Sequence, residues 1–253
     1  MTEKLSRQTL GSLPAHVVVP GYDLTTITPG IVHIGWGNFA MAHLGSIMDD
    51  VLDRNPSWGI IASDLRLRSI IDGLRADGNL YAKIVRKGDT RSARVLAPVV
   101  DTIFAPDDPQ ALVNAIATAN IRLVTITVTA AGFYLDSNRT SLDTNASDIK
   151  HDLEKRDETP LTIYPYLLKG IRQRLNTHGQ PIVLMSLDNV EANSKGLKLG
   201  LLEFAAKYYI EEPDLVAKIQ EKVDFPVTLI DRITPRTSDE VRKESAEFLG
   251  FDS

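Results

Sequence analysis

The chain has 253 residues, 43% of them hydrophobic and 24% charged, which suits one large domain or two small ones with a sizeable buried core. A formal net charge of -5 without any basic block argues against nucleic acid as a partner, and the absence of cysteine excludes disulfides, thiolate metal sites and cysteine nucleophiles. The start, Met-Thr-Glu-Lys-Leu-Ser, lacks a long apolar stretch and no run approaches membrane-spanning length, so a cytoplasmic protein with no membrane partner and no metal site is expected.

Residues 1–29 read as an irregular leader, with Pro14, Pro20, Gly21 and Pro29 punctuating a short apolar run at Val17-Val18-Val19. Ile31, Val32 and Ile34 then form a buried strand that breaks at Gly35 and Gly37, and Phe39, Leu44, Ile47, Met48 and Val51 fall on one side of a helix reaching about Arg54. Strand, glycine turn and helix make the pattern Gly35-x-Gly37-x-x-Ala40, a variant of the dinucleotide fingerprint. Such a turn lets the backbone approach a pyrophosphate, and the first N–H groups of the helix supply unpaired donors and a positive dipole.

Trp58-Gly-Ile-Ile-Ala62 is a second short strand ending in Ser63-Asp64. An acidic residue there binds the adenosine ribose hydroxyls in a dinucleotide fold, although the distance from Gly37 exceeds the usual ~20 residues. Asp64 as the cap of a helix over Leu65–Ile71 is an equally good reading, and both roles can hold together. A carboxylate repels a 2′-phosphate while the neighbouring Arg66 and Arg68 could bind one; the balance favours NAD, with NADP as the alternative.

Leu80–Arg86 and Ala93–Val100 alternate like strands around a polar turn at Lys87–Arg91, a hairpin pattern. Pro106-Asp-Asp-Pro-Gln starts a helix through Ala111, Leu112, Ala115 and Ile116. Ile121–Thr129 is β-branched almost throughout and forms the clearest strand, running into Ala130-Ala131-Gly132. Residues 136–158 are polar and read as a surface excursion. A helix follows over Pro160–Leu175, closed by His178-Gly179, then a short strand from Pro181 to Leu187 ending in Asp188-Asn189, then an amphipathic helix from Ala192 to Tyr209. Phe225–Pro235 is apolar and partly extended, and Ser238–Leu249 is a charged helix or loop. Alternating strands and helices imply an α/β fold, a mostly parallel sheet with helices on both faces.

Four blocks together resemble the mannitol dehydrogenase family of polyol-specific long-chain dehydrogenases. They are Ile31-Val-His-Ile-Gly-Trp-Gly-Asn-Phe-Ala-Met-Ala-His43, Thr125–Tyr134, Met185-Ser-Leu-Asp-Asn189, and Phe225–Pro235 with its Asp-Arg-Ile-Thr-Pro ending. All four stand in family order, and the likeness runs from about residue 5 to the end. The resemblance implies a Rossmann-like fold and a nicotinamide-dependent enzyme interconverting a sugar alcohol and a ketose, or a related sugar acid pair. It implies cofactor binding by Ile34, Gly35, Trp36, Gly37, Asn38, Phe39, Asp64, Thr127 and Asn189. Asn189 would hydrogen-bond the developing oxyanion at the reacting carbinol, and Asp231 would lie near nicotinamide and substrate. The plainer reading of Asn189 and Asp231 is that they cap a helix or turn.

The family's general base is a lysine in a Lys-x4-Asn-x2-His block of a mostly helical C-terminal domain, and no lysine in these 253 residues has that spacing. Ala130 stands where the family has Glu, and Met41 where it has Arg; both changes remove charge near the expected site. His33, His43, His151 and His178 are poor substitutes as bases. The expectation is therefore a dinucleotide-binding domain over 1–253, with 236–253 a truncated linker toward an absent C-terminal domain. It would be the cofactor half of a polyol dehydrogenase, inactive alone. Two alternatives are a truncated, non-catalytic dinucleotide module and a Rossmann-type domain for another nucleotide ligand such as a methyl donor; the ordered blocks argue against the second. An uncovered domain interface would favour self-association.

Overall fold

The computed structural model describes residues 3–232, 234 and 238–252. In chain order the elements are β1 (Glu3–Lys4), β2 (Val17–Val18), β3 (Pro29–Ile34), α1 (Gly45–Leu52), β4 (Gly59–Asp64), α2 (Arg68–Ala76), β5 (Tyr81–Lys87), β6 (Thr90–Leu96), β7 (Val99–Phe104), α3 (Pro109–Ala117) and β8 (Leu123–Ile126). They continue with α4 (Ser147–Glu154), α5 (Ile163–Thr177), β9 (Ile182–Ser186), α6 (Asn193–Tyr208), α7 (Asp214–Lys222), β10 (Val223–Asp224), α8 (Asp239–Leu249) and β11 (Phe251–Asp252).

Six strands form the central sheet in the order β10-β9-β8-β3-β4-β7, every neighbour parallel. β3 is the first of these six along the chain. From it the chain steps outward through β4 to β7, then returns to β8 on the other side and proceeds through β9 to β10. This is the doubly wound arrangement, and its strand order reverses between β3 and β8.

Successive side chains of β3 go to opposite faces. Val32 and Ile34 enter a cluster with residues of α3, α5, α6 and α7, including Leu112, Ile116, Leu168, Leu201, Phe204 and Ile219. Ile31 enters a second cluster with Trp36, Met48, Ile60, Ile71 and Leu74, so α1 and α2 cover the other face. Both faces are buried, which is why β4 is hidden at all six positions. A third cluster joins Leu5, Val17, Val95, Leu249 and Phe251. It underlies a small sheet in the order β2-β6-β5 and a two-stranded parallel pair, β1 with β11. The leader is further pinned through buried Asp49, which accepts from the Tyr22 hydroxyl, the Arg94 guanidinium and, at 2.9 Å, the Ala97 N–H.

Several details differ from the sequence reading. The stretch Ala93–Val100 divides at Ala97-Pro98, and its second part belongs to β7, the outer parallel strand, rather than to the hairpin. The excursion at 136–158 contains α4, whose Ile149 and Asp152 are buried. Asp152 accepts from the N–H of Leu161 and Thr162, both at 2.8 Å, so it ties this excursion to the start of α5. The strand expected over Ile121–Thr129 pairs regularly only over Leu123–Ile126. α7 and β10 occupy a stretch that the sequence pattern left unassigned. Within the segment expected as a linker, the described residues form α8 and β11 and pack into the third cluster.

Candidate functional site

Between β3 and β8 the strand order reverses, and a ligand enters such a sheet outside the carboxyl ends of its strands at that point. Gly35 leaves β3 there with φ +92°, and a Cβ at this position would stand 2.4 Å from the Thr127 carbonyl oxygen, so only glycine fits. The N–H groups of Gly35 and Trp36 both donate to the Ser63 carbonyl, at 2.9 and 3.0 Å, which fastens the turn to β4. On the other side the Thr127 hydroxyl donates to the Gly35 carbonyl at 2.5 Å.

Gly37 is different. Among the described residues, no atom lies within 4 Å of where its Cβ would stand, and its φ is not in the left-handed region, so none of them demands a glycine here. That open space lies beside the start of a helix at Asn38 and Phe39, where the first N–H groups lack intrahelical partners and can receive an anion. The helix passes through a π-turn at Ala40–Leu44 before continuing as α1. The inserted residue sets the buried stripe to Ala40, Leu44, Met48 and Leu52, and leaves Ile47, expected on the apolar side, 49% exposed.

Trp36 is fully buried, stacking edge-on to His33 and Tyr81, so it offers the site only its backbone. Asn38 is half-buried, and Phe39 rests against the second cluster with its ring 5.2 Å from that of His43. Ile34 is buried and its carbonyl accepts from the Thr127 N–H at 3.0 Å.

Asp64 ends β4 and is nearly buried; its Oδ1 accepts from the N–H of Arg66 and of Leu67, both at 2.7 Å. The capping reading therefore holds for the turn before α2 rather than for the helix itself, whose N-cap is Leu67. Oδ2 has no donor among the described residues. Arg68 is committed elsewhere, forked onto Asp107 and lying 4.3 Å over the Phe104 ring. Asp107 is held below the usual carboxylate range by that guanidinium. Arg66 stays exposed and donates to the Tyr134 hydroxyl at 3.3 Å, and Tyr134 in turn donates to Asp148 at 2.5 Å.

At the end of β9, Asp188 Oδ1 accepts from the Asn189 N–H at 2.9 Å, while its Oδ2 is buried without a partner among the described residues; burial raises this carboxyl. Asn189 is exposed, and its side-chain amide has no partner among the described residues. Asn193 holds the neighbouring backbone: its Nδ2 donates to the Asp188 carbonyl at 2.9 Å and to the Thr228 hydroxyl at 2.7 Å. Thr228 donates to the Ser186 carbonyl at 2.7 Å, anchoring the segment that carries Asp231 across the end of β9. Ile230 then packs against the α1 face, and Arg232 lies close enough to His43 to help lower it, after burial, from its ordinary value. Asp231 itself is exposed, and no hydrogen bond among the described residues joins it to Asn189. Of the block it belongs to, Ile233 and Pro235 lie outside the described residues.

The structure thus gathers Gly35, Gly37, Asp64 and Thr127 around one crevice edge and attaches the Asn189 and Asp231 segments to each other through Asn193 and Thr228. A groove of about 980 Å³ opens beside Asn38 and Met41, between α2, β5 and α8, but Asp64, Thr127 and Asn189 do not line it. The sequence reading missed three polar groups of this edge: Ser63, Thr125 and the full engagement of His33. The signal was a polar residue inside an otherwise apolar strand. His33 is fully buried with both ring nitrogens bonded, so it offers no base. His151 is tied to Asp152 and Glu158, and His178 to the Ala117 carbonyl.

The mannitol dehydrogenase Rossmann-domain family model matches residues 29–249. Among curated relatives, a polyol:NADP oxidoreductase of Gluconobacter oxydans is 32% identical over 98% of this chain and 51% of its own length. A mannitol 2-dehydrogenase of Phaeosphaeria nodorum is 34% identical over 99% of this chain and 44% of its own length. Two solved structures superpose with TM-score 0.91 at 31% identity, each over 98% of this chain and 51% of the other: a substrate-free D-sorbitol dehydrogenase, and the Pseudomonas fluorescens mannitol 2-dehydrogenase in ternary complex with NAD and D-mannitol. The chain spans about half the length of the relatives it matches. Among the described residues, no helix is long and apolar enough to cross a membrane.

Proposed function

This chain belongs to the mannitol dehydrogenase family, and from that premise we propose that it is the cofactor-binding half of a polyol dehydrogenase, holding NAD for hydride exchange between a sugar alcohol and a ketose. The observation that carries the reading is the Gly35–Gly37 turn at the reversal point of the sheet, where Gly37 alone leaves open the space that a pyrophosphate would fill. In this reading the backbone of Gly35 to Phe39 lines the phosphates, and Asp64 gives its unengaged Oδ2 to the adenosine ribose. Thr127 flanks the opposite wall. Asn189 donates its amide to the oxygen of the reacting carbinol, and Asp231 sits toward the nicotinamide side. The bound nicotinamide supplies the chemistry of accepting a hydride from carbon.

A proton must leave the carbinol as the hydride departs, and general base catalysis of that step is worth roughly 10²–10⁴-fold. His33, His151 and His178 are engaged elsewhere, and no lysine here has the family's spacing. We therefore assign the base to a C-terminal domain, with residues 1–253 as the dinucleotide-binding domain. The engagement of Arg68 by Asp107 and Phe104 favours NAD over NADP, because it removes one of two guanidiniums that could meet a 2′-phosphate.

Titration of the chain with NADH and NADPH, alongside mannitol oxidation and fructose reduction assays, tests this. NADH binding in preference to NADPH, without turnover, is the expected result. Turnover by this chain alone overturns the assignment of the base, and failure to bind either cofactor overturns the reading as a whole.

A further inference from the structure

His33 occupies the last position but one of β3, opposite Thr125 in the β8 register, on the face where Ile31 is apolar. An aliphatic residue would fill such a site at lower desolvation cost, so a fully buried imidazole there calls for a physical reason. Its Nδ1 lies 2.8 Å from the Thr125 hydroxyl; its Nε2 lies 2.9 Å from the Thr127 hydroxyl and 3.2 Å from the Gly35 carbonyl. The Thr127 hydrogen is already given to Gly35, so Nε2 must carry the imidazole proton and donate, and Nδ1 must accept from Thr125. One tautomer satisfies every group.

Resting on the cofactor reading above, we infer that His33 is a positioning residue for the pyrophosphate end of the dinucleotide. It fixes the Gly35–Trp36 peptide by bonding Thr125 of β8 and Thr127 just beyond its end. That peptide is held at both ends. Its carbonyl faces Thr127 and His33 toward β8, and its N–H is bonded to Ser63 on β4. The orientation of this single plane sets where the N–H groups of Gly37, Asn38 and Phe39 are aimed. Ser63 closes the frame from below, its hydroxyl donating to the His33 carbonyl at 2.7 Å. Burial, the larger influence, lowers His33 to about 4, which keeps the ring neutral and the pattern of donors unchanged near pH 7.

A positioning role for phosphate groups separates from a merely structural one by the ligand's chemistry. The test measures NADH, ADP-ribose and AMP binding by calorimetry to the wild-type chain and to His33→Leu, His33→Gln and Thr127→Val, with thermal melts on each. In His33→Leu, NADH and ADP-ribose are expected to lose at least tenfold in affinity while AMP, which lacks the pyrophosphate, stays within twofold. His33→Gln, which restores one donor and one acceptor, should recover part of the loss. If His33→Leu fails to fold, the same selectivity is read from His33→Gln and Thr127→Val. Unchanged NADH affinity in a folded variant, or an equal loss for all three ligands, overturns the inference while leaving the cofactor reading intact. A wild-type chain that binds none of them overturns the cofactor reading itself.

Discussion

Two glycines two residues apart are glycine for different reasons, and the difference can be measured. Gly35 is held by its left-handed backbone and by the Thr127 carbonyl, whereas Gly37 meets none of the described residues where a side chain would stand. Gly37→Ala should leave the melting temperature within about 2 °C of wild type, since no strain or clash is introduced, yet weaken NADH binding at least tenfold. Thermal melts and fluorescence titration on one preparation check both halves. His33 gives a second prediction. Its folded value, about 4, lies below the ordinary 6.5, so between these the unfolded chain binds more protons than the folded one. Stability from this group is present above pH 6.5 and is lost as pH falls toward 4, by roughly 3 kcal/mol in full. Urea unfolding at pH 7 and pH 5 should show a smaller drop for His33→Gln than for wild type. The identities of Gly35, Gly37 and Asp64 were legible in the sequence as a motif. Which of them the protein's own packing requires was not, because that depends on atoms brought from β4 and β8.

Among the elements, long strongly periodic stretches were read well and short or polar ones poorly. α5 and α6 were legible because their apolar residues recur at helical spacing and His178-Gly179 closes the first. α4 was not, because only Ile149 and Leu153 mark its buried side, and its order comes from Asp152 capping a distant backbone. Arg174 is a sharper case. Within α5 it looks like a solvated charge, but it is 1% exposed and donates to the carbonyls of Thr118 at 2.7 Å, Gln180 at 2.8 Å and Pro181 at 3.1 Å. It joins the end of α3 to the entry of β9. Arg174→Met should cost about 3 kcal/mol, because it removes three hydrogen bonds from one buried guanidinium at once. Urea denaturation midpoints with an unchanged slope would register this as lost stability rather than altered compactness.

Across the whole molecule, distant parts of the chain meet in the third cluster, where Leu5 and Val17 of the leader pack with Leu249 and Phe251. The opposite condition holds at 225–232, where Val227 is 51% and Leu229 93% exposed beside a segment firmly anchored by Thr228. Exposed apolar side chains on a held backbone favour association when they fall close together. The isolated chain should therefore self-associate at high concentration, and Leu229→Asp should shift it toward monomer. Sedimentation velocity across a concentration series measures this; a wild-type chain that stays monomeric throughout counts against the prediction.

The sequence by itself determined the α/β class, the central strands, the glycine turn and the family, because these rest on local periodicity and on short motifs whose residues are neighbours in the chain. Only the tertiary structure decided that Val99–Phe104 is the outer parallel strand, that Arg68 is forked onto Asp107, and that His33 is bonded at both nitrogens. Each of these depends on a partner between 30 and 100 residues away, and the pairing energy of such partners is written in no local stretch of sequence. For the glycine turn the consequence is specific. Its residues were visible from the start, but the frame of Ser63, Thr127 and His33 that fixes its direction exists only once β3, β4 and β8 lie side by side.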